Sequence, residues 1–276
     1  MATTSGSSEV ADFAVRYALS SDTGTEREHN EDTCGSYEET PTHVLVTVAD
    51  GVSGEEGGEI ASQTAIEVTL RSYRASPASW GPAKRLYRAV QQANIEIHDR
   101  ALVVTELRRM STTLTAIVID NGILHAAHVG DTRLYLIRGG TITQKTKDHT
   151  VAAGRQRMGL SRSKGAKHYV ERSTLTRSVG RELIVAVDRI TFALAGGDVL
   201  VVCSDGLYNV LEDNELRDAA AGGDDPQANC ATLIRVANER GTSDNLTAAV
   251  VRVTGSAPRP AGHEGWRGLL ARLVRS

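Results

Sequence analysis

Aromatic residues make up only 4% of this 276-residue chain, too few to build the stacking platforms on which single-stranded nucleic acid is read. A surplus of one charge is also missing. The 31 Lys+Arg against 34 Asp+Glu leave a net charge of -3, which offers no basic footprint for a phosphate backbone. Cysteine is scarce: Cys34, Cys203 and Cys230 are odd in number and widely spaced. They fit reduced thiols of a cytoplasmic protein rather than a disulfide framework or a zinc site. No apolar run approaches the ~20 residues of a membrane span. The opening MATTSGSSEV has no basic region followed by an apolar stretch, so no secretion signal is read there.

Several chemistry-bearing motifs are missing too. There is no GxxxxGK[ST], and the glycines at 51, 54, 57 and 58 do not spell GxGxxG. HExxH and GxSxG are absent, as is an EF-hand loop. An aspartyl-phosphate nucleophile at Asp50 would want a second Asp two residues on, and that position is Val52. The 8 histidines show no zinc-ligand spacing.

What is present is an ordinary globular balance, 40% hydrophobic and 24% charged, in a chain long enough for a full core. Two apolar strands end in Asp-Gly: HVLVTVAD closes at Asp50-Gly51 and DVLVVCSD at Asp205-Gly206. A carboxylate directly after a buried strand sits at the rim of a sheet, and the glycine admits close backbone approach. Period-two patterning marks further strands at FAVRYALS, CGSYEE, STTLTAIVID, ILHAAHVG, DTRLYLIR, TITQKT, VAVDRITFAL and NLTAAVVRV. Asn121-Gly122 between two of them predicts a type I′ hairpin, and Gly139-Gly140 a second hairpin. Helical spacing appears from about Ile60, again from Pro82, and over about 213–221 and 226–240. Runs of strands followed by runs of helices argue α+β layers. The stretch 147–172 is basic and Gly-punctuated, and it is read as an irregular functional or mobile loop.

Asp131 and Asp244 also flank strands, and Glu31-Asp32 precedes another. One Asp-Gly alone is most often just a turn. Gathered along one edge, these carboxylates would raise each other's pKa, a conflict that a hard divalent cation with oxygen ligands removes. More than three acids make a two-metal site plausible.

Eight segments, in order, resemble the bacterial metal-dependent protein phosphatases (protein phosphatase 2C type). They are REHNED (27–32), ADGVSG (49–54), STTLT (111–115), VGDTR (129–133), KDHT (147–150), LTRSVG (175–180), CSDGL (203–207) and SDNLT (243–247). The resemblance covers roughly residues 12–253. It implies a four-layer α-β-β-α sandwich of two antiparallel sheets flanked by helices. It also implies a phosphoprotein phosphatase that hydrolyses phosphoserine and phosphothreonine by direct attack of a metal-bridging hydroxide, opposing bacterial Ser/Thr kinases. Two Mn²⁺ or Mg²⁺ ions are expected, with Asp50 bridging them and the Gly51 carbonyl, Glu31, Asp205 and Asp244 completing the set. Asp131 would serve a third, weaker ion, Asp32 would hold a metal-bound water from behind, and Arg27 would grip the substrate phosphate. The alternative is a catalytically weak phosphoprotein-binding module on the same fold.

Three positions depart from the family pattern: Val52 where some relatives carry His, Ser53 where Gly is usual, and Asn209 where an Asp usually helps hold the third metal. The remaining expectations are a loose tail over 1–11, a catalytic domain over 12–253 with 147–172 as a flap, and a linker over 254–264. A short amphipathic helix over 265–276, able to dock a partner, and a cytoplasmic monomer complete them.

Overall fold

The computed structural model describes residues 13–52, 57–77, 79–160 and 166–255. The expected N-terminal tail, most of the linker, the C-terminal helix and Ser53 lie outside the described residues.

Among the described residues ten strands form two five-stranded antiparallel sheets. The first has β1 (Ala14–Asp22), β10 (Leu246–Thr254), β9 (Val199–Cys203), β6 (Arg133–Arg138) and β7 (Thr141–Gln144), in that spatial order. The second has β2 (Asp32–Thr40), β3 (His43–Asp50), β4 (Leu114–Asp120), β5 (Ile123–Val129) and β8 (Asp188–Ala193). Helices α1 (Gly58–Ala75) and α2 (Pro82–Val103) cover the second sheet, while α6 (Asp213–Ala221) and α7 (Pro226–Glu239) cover the first. This is the expected α-β-β-α sandwich.

Alternation along the strands explains the layering. In β3, Val44, Val46 and Val48 turn into the layer between the sheets, where they meet Leu134, Leu200, Val202, Ala249 and Val251. Leu45 and Ala49 turn the other way, onto Ala61, Ala65, Leu86 and Val90 of the helices. Both faces are covered, so the strand reads as a continuous apolar run. The third layer sets Val199, Val201, Cys203 and Val250 against Leu216, Cys230, Leu233 and Ile234. Pro82 opens α2, where a missing N–H costs nothing. Asn121 and Gly122 have φ values of 46° and 83°, as the type I′ turn requires.

The stretch 147–172 is not wholly irregular. It contains α3 (Val151–Arg157), capped by the Thr150 hydroxyl accepting from the Ala153 N–H, and most of α4 (Ala166–Ser173). No residue of α3 is buried, so it carries no apolar stripe by which periodicity could reveal it.

Candidate metal centre

Antiparallel pairing brings the acidic strand ends together. Asp32 opens β2 directly across from Asp50, the last residue of β3. Cys203, at the end of β9, lies opposite Ala248 of β10. The turn carrying Asp205 and the approach carrying Asp244 therefore share one edge. Asp131 follows β5 after Gly130. Asp50, Gly51, Asp131, Asp205, Asp244 and Arg27 all line one open cleft of about 730 Å³.

The backbone around Asp50 is tightly fixed. Its N–H donates to Thr113 Oγ1 (3.0 Å), and its carbonyl accepts from the Thr112 hydroxyl and the Thr113 N–H, both at 2.8 Å. The Gly51 N–H donates to the Glu31 carbonyl at 3.0 Å. A Cβ on Gly51 would lie 2.3 Å from the Gly58 carbonyl oxygen, and one on Gly58 would lie 2.5 Å from Glu31 Oε1. Only glycine lets the Glu31 carboxylate rest against the start of α1 beside Asp50.

Asp32 is 6% exposed and lies beneath the cleft. The Ser204 hydroxyl donates to its Oδ2 at 2.6 Å and itself accepts from the Thr247 N–H at 3.0 Å. Burial pushes the Asp32 carboxyl up to about 7, against the pull of the Ser204 and Thr247 hydrogen bonds and with a further push from Asp205 and Asp244. Burial also raises Asp50 well above the usual range, reinforced by the charges of Asp32, Asp205, Asp131 and Asp244. Asp131 is raised well above its usual range by burial, then by Asp205 and Asp148, with Arg133 opposing. Asp205 rises to about 6 through burial and Asp244, offset by an Asn209 hydrogen bond, Arg27 and Arg133.

Among the described residues no donor is bonded to the Asp50 carboxylate, which faces the cleft with its charge uncompensated. The donors are all hard oxygens, suited to Mg²⁺ or Mn²⁺. Among the described residues no three His, Cys, Asp or Glu side chains gather closely enough to enclose an ion by themselves. Asp50, Glu31, the Gly51 carbonyl, Asp205 and Asp244 are the oxygen donors available to a hydrated divalent ion at this edge, with Asp131 beside them.

Arg27 Nη2 pairs with Asp244 Oδ1 at 2.9 Å, and its Nε donates to the Ser243 carbonyl at 3.0 Å. The guanidinium is thus aimed from the rim by the segment that carries Asp244. Val52 also lines the cleft and brings no ionisable group. Cys203 is fully buried, and burial pushes its thiol up to about 12, as an inert core cysteine requires.

Sequence reasoning left Arg133, Asp148 and Tyr208 without roles. Arg133 grips Asp148 with a fork (Nε–Oδ1 3.1 Å, Nη2–Oδ2 2.7 Å), donates to the Tyr135 hydroxyl at 2.9 Å and lies 3.5 Å over the Tyr208 ring. The Tyr208 hydroxyl donates to the Asp131 carbonyl at 3.0 Å. Asn209, one residue beyond α5 (Asp205–Tyr208), donates to Asp205 Oδ2 at 3.0 Å and accepts from Arg172 of α4 at 2.6 Å. Arg133 and Asp148 stand inside VGDTR and KDHT, so those motifs were the available signal.

Comparison with known proteins gives the chain's family. A family model described as Protein phosphatase 2C matches residues 24–250. The chain is 32% identical over 245 residues to protein phosphatase PhpP of Streptococcus pneumoniae, covering 86% of this chain and 97% of that protein. It is 30% identical over 238 residues to serine/threonine phosphatase stp of Listeria welshimeri, covering 83% and 92%. Among solved structures, the catalytic domain of PstP in complex with two manganese ions superposes with a TM-score of 0.76 at 30% identity, covering 88% of this chain and 100% of that one.

Proposed function

The chain belongs to the protein phosphatase 2C family, and we infer that it is a metal-dependent protein serine/threonine phosphatase working at the acidic cleft. Asp50, Glu31, the Gly51 carbonyl, Asp205 and Asp244 would hold two Mn²⁺ or Mg²⁺ ions, with Asp131 toward a third. Bound there, such ions lower the pKa of water and withdraw charge from phosphoryl oxygens. Arg27 presents a planar fork to the phosphate, a geometry suited to two oxygens at once. Its link to Asp244 and the Ser243 carbonyl sets its orientation before substrate arrives, so little ordering remains at binding. Asp32, buried behind the cleft and held by Ser204, anchors solvent from the protein side. The cleft is open enough to admit a phosphorylated side chain standing on a protein surface. Its substrates are phosphoserine and phosphothreonine proteins, and the opposing activity is that of Ser/Thr kinases.

The carrying observation is that carboxylates from separate strand ends meet in one cleft where they outnumber the arginines beside them. The alternative of a weak binding module has nothing in its favour. Release of phosphate from p-nitrophenyl phosphate and from a phosphothreonine peptide is expected with millimolar Mn²⁺, and its loss on adding excess EDTA. Turnover undiminished by EDTA would overturn the assignment.

A further inference from the structure

We propose that His149 is a positioning residue for Asp131, acting through the Gly130 peptide. The inference rests on the reading of Asp131 as a carboxylate that faces bound metal.

Two reciprocal hydrogen bonds carry it. The His149 backbone N–H donates to the Gly130 carbonyl at 2.8 Å, and the Gly130 N–H donates to His149 Nδ1 at 3.0 Å. One residue thus holds both polar groups of Gly130, immediately before Asp131. Gly130 sits at φ +105°, and a Cβ there would fall 2.5 Å from the Thr113 Cβ. Thr113 is the residue whose hydroxyl fixes the Asp50 N–H. The Gly130 peptide is therefore trapped between His149 and the threonine that anchors Asp50, and the direction of the Asp131 side chain follows from that peptide.

The His149 ring is itself held on its other sides. It is 3% exposed and stacks on His128 with ring centroids 4.8 Å apart. Because Nδ1 accepts from Gly130, the neutral ring carries its proton on Nε2. That N–H points to Asp188 Oδ2 at 3.3 Å; Arg177 Nη1, 3.1 Å from Nε2, cannot also donate to a protonated nitrogen and bonds instead to Asp188 Oδ1 at 2.7 Å and the Ala186 carbonyl at 3.0 Å. The His149 carbonyl accepts from the Thr176 N–H at 2.7 Å. His149 also immediately precedes Thr150, the cap of α3, so the root of the flap and the Asp131 loop share one clamp.

Side-chain geometry supplies the test. Asn places a carbonyl oxygen where His carries Nδ1, whereas Gln places its polar atoms at the position of Nε2. Mn²⁺ binding by the full chain is measured by titration calorimetry in wild type, His149→Asn, His149→Gln, Asp131→Asn and the His149→Gln/Asp131→Asn double variant. His149→Gln should weaken the weakest Mn²⁺ step about 10-fold or more, as loss of a residue behind a metal ligand typically does. His149→Asn should stay near wild type, and His149→Gln should add nothing once Asp131 is Asn. Wild-type binding in His149→Gln, equal impairment in the Asn variant, or an undiminished effect in the double variant would each overturn the proposal. A wild type that binds no Mn²⁺ defeats the metal centre itself, and this inference with it. A second measurement needs no variant. Long-range ¹H–¹⁵N spectra at neutral pH should show the His149 proton on Nε2, and a ring protonated on Nδ1 sinks the clamp.

Discussion

Strand β3 carries a polar cluster at each end, and the two are built on opposite rules. At its start, His43 Nδ1 meets Asp120 at 2.9 Å and His43 Nε2 meets the Tyr73 hydroxyl at 2.8 Å. Glu39 is paired by Arg85 at 2.9 Å, and the Arg85 guanidinium lies 4.2 Å over the Tyr73 ring. There each acid has a basic partner. At the other end, Asp50 stands among Asp32, Asp131, Asp205 and Asp244, with Arg27 and Arg133 too few to balance them. The two ends are about 23 Å apart at roughly 3.3 Å per residue. A compensated cluster holds the fold together, whereas an uncompensated one stores a demand for positive charge that an external cation meets.

The comparison breaks most sharply at Asp50. Asp50→Asn should lower kcat/KM for a phosphothreonine peptide by roughly 10³-fold or more, about 4 kcal/mol of transition-state stabilisation, while leaving the fold intact by circular dichroism. Near-wild-type turnover would place the chemistry elsewhere. Arg27→Ala should cost about 10²-fold in kcat/KM, the usual loss of one fixed donor to a developing charge. Arg27→Lys should recover only part of it, because an ammonium lacks the fork.

The acidic end should also make the metal-free chain sensitive to alkali. Asp32 stands at about 7 in the folded chain against 3.8 for the ordinary group, and Asp50 and Asp131 are raised as well. A raised carboxyl holds its proton more tightly in the folded state. Its contribution is fully present below about pH 3.8 and is lost as pH rises toward about 7. In EDTA, Asp50→Asn should therefore melt above wild type at pH 7 and alongside it at pH 4. Mn²⁺ should raise the wild-type midpoint at pH 7 and barely change it at pH 4. Paired acids such as Asp188 shift the opposite way, so the difference between the two chains is the quantity to read.

The balanced end should answer in stability alone. Arg85→Ala removes a nearly buried cation from Glu39 and its packing on Tyr73, and it should cost about 2 kcal/mol in denaturant melts, discounted because Glu39 is partly solvated. Tyr73→Phe deletes one hydrogen bond to His43 and should cost about 1 kcal/mol. Neither should change kcat/KM by more than about twofold. A larger catalytic loss in either variant would mean that the two ends of the strand are coupled.

How much of this was legible before the structure depended on periodicity. Covered strands such as HVLVTVAD and the Asn121-Gly122 hairpin were readable because burial and turn geometry constrain each residue type strongly. The Asp50, Asp205, Asp131 and Asp244 strand ends were readable as a pattern, although their convergence is a property of pairing that no single segment contains. Arg133, Tyr208 and His149 were not placed. Arg133 and His149 stand inside VGDTR and KDHT, but their roles come from contacts between residues remote along the chain, such as His149 with Arg177 and Asp188, which spacing alone does not pair. Helix α3 of the flap escaped because it buries nothing.

The order of the strands also sets a schedule for synthesis. Strand β10 supplies the approach to Asp244 and lies between β1 and β9. Among the described strands, the first therefore waits for the last, with Ala14 registered against Thr254. Until the ribosome has passed residue 254, the first sheet lacks an inner member and the cleft one of its walls. A chain cut short before β10 should therefore lack a completed cleft. The pairing that completes the sheet must bridge almost the whole described length, which makes this closure late and slow relative to the local hairpins.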